Sequence, residues 1–177
     1  MSGVPGTHVN AALINACLLD AKQKGADCMV VILDLSKAFD RIGHQRIRHS
    51  LQSQGVSPNL SQLIMTLLSN NTIRIDLGKD RSGPSKINLS VPQGGPLSSL
   101  LFNLAFDFIY REVCDPQFAE QFGFKLKEGF DALSLTGFAD DQAVTSSSVD
   151  GARRIVELTQ SLFLQIGLEV KDRKSVV

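Results

Sequence analysis

The chain has 177 residues and a mass of 19.2 kDa, and 43% of it is apolar, which suits one domain with a buried core and excludes a disordered tail or a fibrous repeat. Eighteen Lys and Arg balance eighteen Asp and Glu and mean hydropathy is +0.05, so bulk charge announces neither a polyanionic nor a membrane partner. Cys17, Cys28 and Cys114 lie far apart without a CxxC pair, which excludes a disulfide frame or a zinc knuckle and predicts small buried residues in a reducing compartment.

At the N-terminus, MSGVPGTHVN lacks the basic and apolar blocks of a signal peptide. No apolar run approaches the roughly 18 to 20 residues of a bilayer span, so a soluble intracellular protein with no membrane partner is expected. Met1 leads at once into a turn-like SGVPGT and then a helical pattern, as in a piece of something longer. Residues 8–24 place Val9, Ala12, Leu13, Ala16 and Leu19 near a 3.6-residue period, with Gly25 set to end the helix at a positive φ. CMVVILDL at 28–35 is a short apolar, β-branched run and reads as a strand buried on both faces, interrupted only by Asp34. Residues 45–54 and 59–69, parted by Gly55 and Pro58, predict a helical hairpin.

Alternation at 72–77 and 86–91 around GKDRSGPS predicts a β-hairpin with a basic face of Arg74, Lys79, Arg81 and Lys86. Residues 97–113 are apolar nearly all round in their first turns, the mark of a buried helix, with Pro96 at its start. Strands are expected at 122–127 and 132–138 and, after the acidic ADD turn, at 142–147. A helix at 151–166 stops at Gly167, and a closing strand begins at 168–170. Without the inserted helices and hairpin this is the split βαβ order, an α+β fold with two helices on one face of an antiparallel sheet. In it the first and third strands are central neighbours, so Asp34 and the pair Asp140, Asp141 meet at one sheet edge.

Like charges about 4 Å apart repel by roughly 4 kcal/mol at an effective dielectric near 20, and a divalent cation between them removes that repulsion. Oxygen ligands without His or Cys select Mg²⁺ or Mn²⁺, and two such ions about 3.5 to 4 Å apart clamp the attacking and leaving oxygens of a phosphoryl displacement. Simpler readings stand beside this one. Thirteen Asp in the chain give about one adjacent pair by chance, Asp suits hairpin turns, and Asp34 or Ser36 can cap a short turn over Lys37 to Phe39. His8, His44 and His49 lack ligand spacing and read as surface residues, while Arg46, Arg48 and the hairpin tip are either a nucleic-acid track or a solvated face.

LDLSKAFDRI at 33–42, VPQGGPLSSLLFNL at 91–104, TGFADDQAV at 136–144 and GLEVKDRKS at 167–175 resemble, in order and approximate spacing, the four palm motifs of reverse transcriptases, most closely those of non-LTR retrotransposons. The resemblance covers nearly the whole chain. It implies a polymerase palm at 28–43 and 92–177 with fingers-like segments at 8–27 and 44–91, and further fingers and a thumb outside these residues. It also implies two Mg²⁺ (or Mn²⁺) held by Asp34, Asp140 and Asp141 with the Leu35 carbonyl, an RNA template, a DNA primer and dNTPs as partners, and a nuclear location.

By the same resemblance Phe39 lies beneath the sugar of the incoming nucleotide, where a bulky ring leaves no room for a 2′-hydroxyl; a core Phe at the foot of the strand is the alternative. Gln93 and Gly94 approach the nucleotide or template, and Lys174 neutralises pyrophosphate charge or is a solvated lysine near the end of the sequence. Lys37 and Arg41 meet phosphates or solvent. Gly95, Ser99, Lys171 and Asp172 depart from the family's usual residues without removing a metal ligand. The rival expectations are an RNA-templated RNA polymerase, which Phe39 and FADD disfavour, and an inactive retroelement piece that folds or binds nucleic acid without chemistry.

Overall fold

A computed structural model of the protein describes residues 6–78, 80–86, 89–92, 94–126, 130–138 and 140–176. In chain order these form α1 (Gly6–Lys24), β1 (Met29–Leu35), α2 (Ala38–Arg41), α3 (His44–Ser53), α4 (Pro58–Ser69), β2 (Thr72–Ile73) and β3 (Ser85–Lys86). They continue with α5 (Ser98–Val113), α6 (Pro116–Phe122), β4 (Leu135–Phe138), β5 (Asp141–Ser146), α7 (Val149–Gln165) and β6 (Val170–Val176). The chain divides into two compact units, one made of Met1–Ser36 with Phe108–Val177 and the other of Lys37–Asp107.

The first unit is built on a four-stranded antiparallel sheet of order β4-β5-β1-β6. This is the expected α+β arrangement, with β1 and β5 side by side at the centre. On one face α7 packs against β1 and β5 through an apolar side that includes Ile155, Val156, Leu162 and Phe163. Ser148 caps α7 by accepting the Gly151 amide at 3.0 Å, and Gly167, at φ 78°, turns the chain into β6. On the other face α1 ends at Gly25, φ 62°, as the sequence predicts. Its buried Cys17 and Ala21 cluster with Cys28, Val30 and Phe124.

β1 is not buried on both faces. Met29, Leu33 and Leu35 are enclosed, but Ile32 is 42% exposed and Asp34 is half-buried. The buried cluster under α1 includes Val30 but not Ile32, and a cavity between α1 and the sheet lies toward the Asp34 end. β6 runs to Val176, longer than the sequence suggests, and its pairing with β1 carries a bulge: Asp34 lies opposite Asp172 but Leu35 opposite Val170.

The strand expected at 122–127 is reduced to a bridge, and an unexpected helix runs into its first residue, Phe122. Asp115 accepts the amides of Gln117 and Phe118 at 3.0 and 3.2 Å, Pro116 fills the first helical position, and α6 results. A single bridge, Phe124 to Leu133, remains of the expected pair, and residues 127–129 lie outside the described ones. Gly123 closes α6 where a methyl would stand 2.7 Å from the Ala119 carbonyl oxygen and 2.8 Å from that of Leu133. Both are backbone atoms and cannot swing aside. Gly123→Ala is therefore expected to destabilise the fold by about 1–3 kcal/mol, read as a lower denaturant midpoint at unchanged slope. Cys114, expected inside, is at the surface, although Cys17 and Cys28 are buried.

The second unit contains the expected helical hairpin, α3 against α4, with Ile47, Leu51, Met65 and Leu68 buried. Its β-hairpin is shorter than expected. Thr72 pairs with Lys86 and Ile73 with Ser85, a bridge joins Asp76 to Arg81, and the Arg81 guanidinium meets Asp76 at 2.9 Å; Lys79 is outside the described residues. Leu89 to Val91 instead return to the residues around α2, where the Ser90 amide donates to Ile42 and the Val91 amide to Phe39, both at 3.0 Å. The helix α5 starts at Ser98, two residues after Pro96, with the Ser98 hydroxyl donating to the Pro92 carbonyl. It is not buried all round: Leu101, Phe102, Ala105 and Phe106 are enclosed, while Leu100 is 56% exposed.

Candidate active site

Strand alternation builds the site. In β1, Leu33 and Leu35 point into the covered face, which puts Asp34 on the open one. Asp141, the first residue of β5, is the direct cross-strand partner of Asp34, and residues so placed have Cβ atoms about 4.5–5.5 Å apart. Asp140 precedes it in the turn, and both are exposed. The register extends into one row across the sheet: Phe138 of β4, Asp141 of β5, Asp34 of β1 and the Asp172 position of β6. No ion pair between described side chains engages Asp34, Asp140 or Asp141.

The donor set is carboxylate oxygen without His or Cys, which fits a hard divalent cation and not zinc. Among the described residues no three His, Cys, Asp or Glu side chains are grouped closely enough to hold a metal ion. The sheet sets Asp34 and Asp141 as neighbours with Asp140 beside them, but does not close them into a three-ligand cage. Leu35 sits at the bulge with its side chain buried, so only its backbone is available for coordination. Lys174 is in β6, opposite Ile32.

The other expected site residues belong to the second unit. Phe39 is half-buried, its ring stacked on Phe102 at a centroid separation of 4.0 Å and 18° between planes, and Phe102 in turn stacks on Phe106 at 4.4 Å. Gly94 is exposed at φ 83°, with no atom within 4 Å of where a methyl would be, so its backbone is open to approach. Gln93 lies outside the described residues. Lys37 has a left-handed backbone, φ 49°, ahead of α2, which has no side-chain cap, so the alternative reading of Asp34 or Ser36 as its cap does not hold.

Sequence reasoning passed over the residues behind the hairpin. Gln142, next after Asp141, points to the covered face and is 1% exposed. Its Oε1 accepts the Tyr110 hydroxyl at 2.6 Å, and burial pushes the Tyr110 pKa up to about 12, so this group remains a donor throughout the neutral range. On the open face the Asn10 amide donates to the Gly137 carbonyl and accepts the Thr136 hydroxyl, both at 2.7 Å. A cavity of about 370 Å³ between α1 and the sheet, lined by Asn10, Ile14, Ile32, Thr136 and Phe138, reaches Asp141. Another, of about 400 Å³ beside Leu13, Leu19 and Phe130, contains none of the site carboxylates. Alternation was the available clue: Gln142 shares a strand face with Val144, and a buried amide needs partners.

A split βαβ sheet that sets an acid of its first strand against an acidic hairpin defines the palm class of nucleotidyl-transfer folds. The model of the family "Reverse transcriptase (RNA-dependent DNA polymerase)" matches residues 4–177, and the chain belongs to that family. Relatives include the retrovirus-related Pol polyproteins from type-1 retrotransposable element R2 of Nasonia vitripennis, 28% identical over 96% of this chain and 16% of that protein, and of Popillia japonica, 28% identical over 98% and 24%. These place the domain with the non-LTR retrotransposon enzymes, and the chain spans less than a quarter of those relatives' length. Among solved structures, telomerase from Candida albicans in complex with the TWJ fragment of telomeric RNA matches with a TM-score of 0.72 at 11% identity, over 99% of this chain and 31% of that one. Apo telomerase from Candida tropicalis, truncated from the C-terminal domain, matches at 0.71 and 15% identity, over 98% and 35%. These likenesses bear on the fold.

Proposed function

We propose that this domain catalyses RNA-templated addition of deoxynucleotides to a DNA primer 3′-hydroxyl, in the nucleus, with Asp34, Asp140, Asp141 and the Leu35 carbonyl as ligands of two Mg²⁺. The observation that carries this reading is the direct cross-strand pairing of Asp34 with Asp141 on the open face. Bound there, the ions supply a lowered primer-hydroxyl pKa and charge stabilisation of the departing pyrophosphate. The protein's part is positioning: β1 and β5 hold the carboxylates in register, and the uncovered sheet around Ile32 leaves room for a substrate. Gly94 with Gln93 follows the template or nucleotide backbone, and Lys174 offsets triphosphate charge. Residues 28–43 and 92–177 act as palm, and 8–27 and 44–91 as fingers.

Primer extension on an RNA template tests this. Deoxynucleotide incorporation that requires both template and Mg²⁺ supports it, whereas template binding with no extension, in this chain and in a longer form of the protein alike, favours the inactive reading. The two carboxylates' standing as neighbours without a closed cage is the feature that keeps that second reading in view.

Phe39 occupies the family's sugar-selecting position, and its ring is fixed from behind by Phe102. Phe39→Val is expected to raise ribonucleotide incorporation by roughly 10- to 100-fold with deoxynucleotide use little changed. Single-nucleotide extension with paired dNTP and rNTP substrates measures it, and unchanged discrimination removes the role.

A further inference from the structure

The β4–β5 hairpin, which carries Asp140 in its turn and Asp141 at the head of β5, is held from both faces of the sheet. From the covered side the Tyr110 hydroxyl of α5 donates to Gln142 Oε1 at 2.6 Å. Gln142 is paired directly with Gly137 of β4, and a methyl at Gly137 would collide with the Gln142 amide and stand 2.5 Å from the Tyr110 oxygen. The absent side chain at Gly137 is what lets the amide and the phenol meet across β4. From the open side Asn10 of α1 grips Gly137 and its neighbour Thr136, donating to the Gly137 carbonyl and accepting from Thr136. Gly137 is thus the point where both contacts converge, one residue before Phe138 and across the ladder from Gln142.

Asp141 and Gln142 are adjacent in one strand, so a shift or twist of Gln142 is passed through the backbone to Asp141. A polar network fully satisfied in a dry setting is stiff, and supports of this kind behind metal ligands set how well the ligands are oriented. We infer that Tyr110 and Gln142 are positioning residues for divalent-cation binding, fixing the β4–β5 hairpin so that the Asp141 carboxylate faces Asp34. The inference rests on the proposed role of Asp34 and Asp141 as metal ligands. Both act from the covered face, opposite the one that carries the Asp34 and Asp141 side chains. Burial keeps the phenol protonated, so it remains a donor throughout the neutral range.

The test uses the whole 177-residue chain and Mn²⁺ alone, with free Mn²⁺ read by electron paramagnetic resonance. Tyr110→Phe keeps the ring and removes only the donor, and Gln142→Leu keeps most of the volume and removes the acceptor. Each is expected to weaken Mn²⁺ binding by roughly tenfold, and the double variant by no more than about the larger single effect, because hydroxyl and amide act as one unit. Thr159→Val controls for general loosening: Thr159 is buried as Gln142 is, in α7, and its hydroxyl donates to Ile155 at 2.7 Å within that helix. It is expected to lower the unfolding midpoint without changing Mn²⁺ binding.

Equal weakening by Thr159→Val, or unchanged binding in both Tyr110→Phe and Gln142→Leu while Asp141→Asn binds poorly, overturns the positioning role alone. No Mn²⁺ binding by the unaltered chain, or undiminished binding by Asp141→Asn, overturns the metal-site reading beneath it.

Discussion

Asp141→Asn and Asp34→Asn are each expected to lower Mg²⁺-dependent primer extension by about 10³-fold or more while leaving the unfolding midpoint unchanged or higher. A 10³-fold loss corresponds to about 4 kcal/mol of transition-state stabilisation, the scale of several kcal/mol that a metal's charge supplies to phosphoryl transfer. The stability half of the prediction comes from the sheet. Like charges directly opposite one another on antiparallel strands destabilise the pair, and no described cation joins Asp34 or Asp141 in an ion pair. Asn keeps the size and most hydrogen-bonding capacity of Asp and removes that repulsion. Extension assays and thermal unfolding followed by circular dichroism, on the same protein preparations, measure both. If activity and stability fall together, the two acids are scaffold and the catalytic assignment is lost.

Phe102→Ala is expected to produce the largest stability loss, about 3–5 kcal/mol, or on the order of 10 °C in midpoint. Phe102 is 1% exposed and lies between the rings of Phe39 and Phe106, so truncation leaves a cavity and removes two aromatic contacts at once. The same change withdraws the backing of Phe39. Ribonucleotide discrimination should therefore weaken in the Phe102 variant as it does in Phe39→Val. Full discrimination in a folded Phe102→Ala protein would show that the Phe39 ring is held by other contacts.

The central sheet was legible because its evidence is local and repeated. The run at 28–35, the acidic turn and the helix ended by Gly167 each carry their own period or breaker, and the split βαβ order then places β1 beside β5. Asp34 and Asp141 as partners follow from that order plus alternation. What was hidden depended on coverage and on competition between local signals. Ile32 looks like a core residue in sequence, but the buried cluster under α1 ends at Val30 and a cavity lies beside Ile32, which is 42% exposed. Asp115-Pro116, a cap with a first-position proline, favours the helix that α6 forms, a local signal lying between the helix expected at 97–113 and the strand expected from 122. The β-hairpin of the second unit is short because Leu89 to Val91 find backbone partners near α2 in place of Thr72 to Leu77, a long-range choice with no periodic trace. The partnership of Tyr110 with Gln142 joins residues 32 apart and could be anticipated only as the need of a buried amide.

The bulge opposite Asp34 bears on how related chains are compared. β6 advances by two residues, Asp172 to Val170, where β1 advances by one, so Lys171 is supernumerary to the ladder. The departures from the family pattern noted at Lys171 and Asp172 fall on this step. A gap of one residue at Lys171 in an aligned relative has a geometric meaning, the presence or absence of that kink. A comparison that forbids the gap assigns residues 172–176 to the wrong partners by one place and misidentifies the counterpart of Lys174.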